Sequence, residues 1–156
     1  MSSCGSRSFE VHKSFFVAKM LSGRYLTDMQ QRHWTNNKTG YCLLPGCASH
    51  HIPGTLEHLL LFCPSINLKR LTLLNLGRLI SQEHPALSAI LTEFLSSDNT
   101  SDRMQLLLDC TAIPQVIRAN QTYGPHILDH LLYFGRTWCY NVHRERVTQL
   151  GLLKFR

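Results

Sequence analysis

Long apolar runs are missing from this chain. None of its hydrophobic stretches approaches the ~20 residues that a membrane span requires. The start, Met1-Ser-Ser-Cys-Gly-Ser, is polar, and Phe15-Phe16-Val17-Ala18 is too short for the apolar core of a secretory signal. The expectation is an intracellular protein, in nucleus or cytoplasm, with no membrane partner and with its thiols kept reduced. Period-two alternation is absent, so no sheet is expected, and there is no internal repeat or low-complexity tract. Charge is scarce at 17% of residues, which hints at apolar surface reserved for a partner. The ten acids are scattered, and none pairs up beside a nucleophile or a metal-binding His. Asp98 and Asp102 are close in sequence, but they sit in a Ser/Asn/Thr-rich loop where turn and capping roles account for both. Converging carboxylates for metal-assisted phosphoryl transfer are therefore not foreseen. No catalytic residues are assigned, and independent enzyme activity is not expected.

What is present is enough for a packed core: 44% of the 156 residues are hydrophobic. The net charge is +6, and 11 of the 16 basic residues are Arg. The planar guanidinium suits phosphate, so RNA or DNA is a candidate partner, bound weakly and without sequence preference. Six cysteines occur, at positions 4, 42, 47, 63, 110 and 139. Three of them join a histidine in the pattern Cys42-x4-Cys47-x10-His58-x4-Cys63. Buried Cys and His are often ordinary core residues. Here the punctuation favours a metal. Leu44-Pro45-Gly46-Cys47 reads as a turn, with Gly46 free to take a positive φ, that folds Cys47 back on Cys42. Thr55 is a good N-cap for a helix opening at Leu56 that presents His58. Pro64 forces the chain off that helix at Cys63, whose thiolate would otherwise face away from His58. One structural zinc on Cys42, Cys47, His58 and Cys63 follows, with His50 and His51 as rival ligands in the same loop.

The rest reads as helices. Residues 1–8 look like a loose tail. Residues 9–65 hold an N-terminal helix and the zinc-held loop, and 66–156 form a helical C-terminal region. The first helix is expected from Phe9 to about Arg32, with Val11, Phe15, Ala18, Leu21, Tyr25 and Leu26 on its apolar side and Lys13, Lys19, Arg24 and Arg32 near the polar side. Gly23 marks a bend or interruption. Ser65 caps a helix to about Ser81, and His84 with Pro85 starts the next, to residue 96. Ser101 or Asp102 caps a short helix through Cys110. A single further turn follows Ile113-Pro114. The longest helix runs from Pro125 to about Leu150, with Leu128, Leu131, Leu132, Gly135, Trp138, Cys139, Val142 and Arg146 tracing one stripe. The fold class is all-α, a helical domain with a small Cys3His loop.

With these segments placed, Lys19-Met-Leu-Ser-Gly-Arg-Tyr, Arg32-His-Trp and Gly54-Thr-Leu-Glu-His-Leu-Leu-Leu-Phe-Cys-Pro resemble the zinc-knuckle region at the C-terminal end of non-long-terminal-repeat (LINE-type) retrotransposon reverse transcriptases. The likeness is specific over roughly residues 15–70. The run Arg136-Thr-Trp-Cys-Tyr-Asn-Val-His-Arg-Glu-Arg is similar to the ends of some such polyproteins. Many members have two residues between the first two cysteines, where this chain has four. The polymerase Asp-Asp pair and the endonuclease Pro-Asp…Asp signature are absent from these residues. The resemblance implies a C-terminal fragment without a catalytic centre, which binds zinc and nucleic acid and docks on the rest of a reverse transcriptase. Arg24, Arg32, Lys38, Lys69 and Arg70 would meet phosphates, and Trp34, with Tyr41, would stack on bases. The competing reading is a zinc-stabilised helical docking module with no nucleic-acid role.

Overall fold

The computed structural model describes residues 4–25, 27–28, 39–47 and 49–151, and for residues 4–9 the backbone alone. Six α-helices carry the fold among these residues: α1 (Cys4–Leu21), α2 (Asn67–Ser81), α3 (Pro85–Leu95), α4 (Thr100–Leu108), α5 (Pro114–Tyr123) and α6 (His126–Gln149). No strand forms among the described residues, and extended pairing is limited to one bridge, Tyr41 with Pro53. The domain is all-helical, as the patterning predicts.

Helix α6 is the axis. Helices α1, α2, α4 and α5 all pack against it, and α3 rests on α2. The stripe read from sequence is buried at Leu131, Gly135, Trp138, Cys139, Val142 and Arg146. Ile127, Phe134, Thr137 and Tyr140 are buried as well, because neighbours cover α6 on several sides. Gly135 permits one of these approaches. A Cβ there would lie 2.4 Å from the backbone oxygen of Leu107, at the end of α4.

Local chemistry sets most helix ends. Pro85 sits in the first turn of α3, and His84 Nδ1 accepts from the Ala86 amide at 3.0 Å. Asn99 caps α4 by accepting from the Ser101 amide at 3.0 Å, two positions ahead of the expected cap. Helix α5 is ten residues rather than one turn. Its sequence is mostly polar, with Val116 and Ala119 buried, and Pro114 opens it in the first turn. Ser65 does not cap α2. It lies in a 3-10 turn, Pro64–Ile66, and its hydroxyl is used elsewhere.

The N-terminal helix departs from expectation in three ways. It begins at Cys4, inside the stretch read as a loose tail. It ends at Leu21, where Gly23 takes a φ of 69°, so the predicted run to Arg32 is cut short. It also presents the other face. Lys13, Val17 and Met20 are buried, while Val11, Phe15 and Leu21 are 68%, 53% and 53% exposed. Lys13 is accommodated by partners. Its Nζ pairs with Glu10 at 2.9 Å, donates to Thr137 Oγ1 at 3.3 Å and lies 4.8 Å from the Tyr133 ring centre. No helix among the described residues is long and apolar enough to cross a membrane.

Candidate metal centre

The loop from Gly40 to Gly54 is closed by backbone pairing. The Cys42 amide donates to the Ile52 carbonyl at 2.8 Å, and the Gly54 amide to Gly40 at 2.9 Å. Inside it the predicted turn forms, with the Cys47 amide on the Leu44 carbonyl at 2.9 Å. Gly46 does not take a positive φ. Its value is space, since a Cβ would come 2.8 Å from Ser65 Oγ. That hydroxyl accepts from the Gly46 amide at 2.7 Å and ties the turn to the start of α2. Gln149, at the end of α6, donates to the Ser65 carbonyl at 2.7 Å.

Thr55 caps as expected, its Oγ1 accepting from the His58 amide at 3.1 Å. The helix that opens at Leu56 does not stay α. Residues His58–Phe62 form a π turn, and the Cys63 amide donates to the His58 carbonyl at 2.7 Å. An i→i+5 bond is the geometry that brings a residue five positions on back over its start. The chain leaves the helix at Cys63, as foreseen from Pro64, with a ψ of 116°, and Cys63 returns under His58. Leu60 shows what this requires. In an α-helix its carbonyl would accept from residue 64, and Pro64 has no amide hydrogen. Trp138 Nε1 on α6 donates there instead, at 3.1 Å. Trp138→Phe keeps the ring and leaves the buried Leu60 carbonyl unpaired. The expected cost is about 1–3 kcal/mol in urea unfolding. Unchanged stability would remove the indole from this role.

The four predicted ligands converge. Sγ of Cys42, Cys47 and Cys63 and one ring nitrogen of His58 all lie within 4.8 Å of one another, and all four residues are buried. Cys47 Sγ is 3.3 Å from His58 Nε2 and 3.5 Å from Cys63 Sγ. A tetrahedral ion bonded to sulfur at about 2.3 Å sets its sulfurs about 3.8 Å apart, so these separations match one shared ion. They are far too long for a disulfide, whose sulfurs are about 2.05 Å apart. His50 and His51 are exposed and stand outside the converging group. Cys110 and Cys139 belong to the core, where burial pushes their thiols up to about 11 and about 12.

Electrostatics inside the cluster are those of sulfurs that cannot all be charged at once. Hydrogen bonding from Cys42, with further help from His58, Cys47 and the Ser65 amide, holds Cys63 down to about 4. Hydrogen bonding to Cys63, then burial, pushes Cys42 well above the ordinary thiol range. Burial, then Cys63, pushes Cys47 up to about 11. A divalent cation would supply the positive charge that lets all three ionise, with release of their protons.

Beside His58 lies a polar network that sequence reasoning missed. Arg146 Nη2 pairs with Asp28 Oδ1 at 3.3 Å, and both residues are buried. Arg146 Nη1 donates to the Tyr25 hydroxyl at 3.4 Å, and that hydroxyl is 3.1 Å from His143 Nδ1. The His143 ring stacks on Phe16 with centres 4.0 Å apart. Asp28, Arg146, Thr55, His58 and Cys42 share the wall of a void of about 10 Å³, so the ion pair stands directly behind two ligands. The available signal was Arg146 itself, a charged residue on an otherwise apolar stripe.

Of the proposed nucleic-acid-binding residues, Arg24, Lys69 and Arg70 are among the described residues. Arg24 is exposed beyond the end of α1. Lys69 and Arg70 are half-buried in the first turn of α2. Arg32, Trp34 and Lys38 lie outside the described residues. Tyr41 is half-buried, 5.2 Å from the His51 ring. No protein-family model, curated protein or solved structure matches this chain. The chain is a small all-helical domain with a buried Cys/Cys/His/Cys cluster able to hold a metal ion.

Proposed function

We propose that the chain is a zinc-stabilised helical docking module, whose business is binding a protein partner and not chemistry. Zinc is the ion that three thiolates and one imidazole in a tetrahedral arrangement suit best. Four protein ligands complete its coordination and leave no position for a catalytic water, which supports a structural role. The carrying observation for docking is the outward apolar stripe of α1. Val11, Phe15, Ala18 and Leu21 follow one another three or four residues apart and are all exposed. Next to them runs a groove of about 240 Å³ between α1, α4 and α6, walled by Val17, Ala18, Leu107, Leu131 and Leu132. Such a stripe and groove fit the apolar side of another helix. The surrounding charge is mainly basic. Lys19 lies 4.6 Å from the Phe15 ring centre, Arg24 follows the helix and Arg136 lines the groove, against Asp109. The partner is therefore an amphipathic helix with acidic flanks.

The test is selection from a displayed library of helical peptides. Enriched sequences are expected to carry apolar residues at helical spacing with acidic neighbours, and to lose binding to Phe15→Asp and Leu21→Asp. No enrichment, or binders indifferent to both substitutions, would reject this surface.

A nucleic-acid role is the second reading, favoured by the +6 charge and the exposed Arg24. It is the part of the reverse-transcriptase resemblance that binding can test. Titration of single-stranded RNA and of duplex DNA at 50 and 200 mM salt separates the two. Docking predicts weak binding without a steep salt slope. Six or more phosphate contacts would cost roughly 10³-fold or more in affinity across that range, and Arg24→Ala with Lys69→Ala would flatten the slope by about two units.

A further inference from the structure

Among the described residues, the buried side-chain nitrogen without a hydrogen-bond partner is Nη1 of Arg70. A buried guanidinium nitrogen left unpaired is costly, so its surroundings must offer the cation something. Arg70 lies in the first turn of α2, directly after the 3-10 turn that follows Cys63. Burial disfavours the charge on Arg70 and is the larger effect, and the nearby Cys63 and Cys47 sulfurs oppose it. Three thiolates, one neutral imidazole and a divalent ion sum to a net charge of −1. Arg70 Nη1 is shut off from water, so that charge would act on it with little screening.

We infer that Arg70 is the counter-cation of the metal centre, a positioning residue that balances the charge of the loaded cluster rather than a contact for an external phosphate. The inference rests on the zinc reading above. It also explains why this arginine, one of the candidates for nucleic-acid contact, is turned inward. A phosphate-binding arginine would keep its fork in water, whereas here one nitrogen has none.

Arg70→Met keeps the apolar stem and removes the charge, and Arg70→Lys keeps the charge. Affinity is read by competition with a chromophoric chelator for zinc, and the ligand set by the visible spectrum of the cobalt-loaded protein. Arg70→Met is expected to bind zinc about 10–100-fold more weakly, with Arg70→Lys recovering most of the loss. The cobalt spectrum should keep its sulfur charge-transfer bands in both variants, since all four ligands remain. Arg70→Gln replaces the Met variant if circular dichroism shows that the latter has not folded. Wild-type affinity in the neutral variant, or an equal loss with Lys and with Met, would overturn the inference and leave the zinc reading standing. A wild-type protein that takes up neither zinc nor cobalt would overturn both.

Discussion

Cys47→Ala protein is expected to purify without stoichiometric zinc and with the segment around residues 40–66 unfolded. The effect should be the largest of any single substitution. Cys47 Sγ stands within 3.5 Å of both His58 Nε2 and Cys63 Sγ, so its loss opens the cluster at its centre. Structural zinc in small units contributes an apparent ~10–16 kcal/mol, which rivals or exceeds the whole stability of an ordinary domain, ~5–15 kcal/mol. The damage will not stay local. Leu44, Leu59, Leu60 and Ile66 belong to the same core as α6, and Trp138 is bonded to the Leu60 carbonyl. Trp138 emission should therefore report solvent entry, while far-UV circular dichroism keeps a large helical signal from the other elements. A chelator added to the wild type should reproduce the same changes. Full zinc retention by Cys47→Ala would defeat this account of the ligands.

Arg146→Met should destabilise the zinc-loaded protein by about 3–5 kcal/mol, the usual cost of leaving one member of a buried ion pair alone. For a chain of this size that lowers Tm by roughly 6–20 °C. The methionine fills the space, so the penalty is electrostatic: Asp28 is buried without its cation, and the Tyr25 hydroxyl loses a donor. Asp28→Asn added to Arg146→Met should recover much of the loss, because the stranded charge is removed. The network stands behind His58 and Cys42, and Gly54 lies so near Asp28 that a Cβ would meet its Cβ at 2.4 Å. Arg146→Met is therefore also expected to speed zinc loss to a chelator. A cost below about 1 kcal/mol, with no gain in the double variant, would mean that the pair is exposed to water in solution.

The sequence made the ligand set legible because short-range punctuation controls it. Pro45 lies in the turn before Cys47, Thr55 bonds the His58 amide, and Pro64 holds Cys63 off the helix, each as its chemistry dictates. Helix α6 was legible almost to the residue for a related reason, a long periodic run closed by few interruptions. The π turn was not, since its cause lies partly in Trp138, 78 positions away from the carbonyl it serves. The orientation of α1 was hidden too. Its sequence offers apolar residues on two faces, and the choice between them is made by α6 through Lys13, Thr137 and Tyr133. A lysine at a core position reads as polar surface unless its partners are known.

The central claim is that Cys42, Cys47, His58 and Cys63 hold one zinc ion. Native mass spectrometry of the full chain, expressed and purified without added metal or chelator, tests it most directly. The expected result is one zinc per chain, with Cys42, Cys47 and Cys63 protected from alkylation while the metal is bound and reactive once it is removed; Cys110 and Cys139, buried in the core, react only on full denaturation. A folded chain that carries no zinc, or one that keeps zinc while those three thiols react freely, would contradict it.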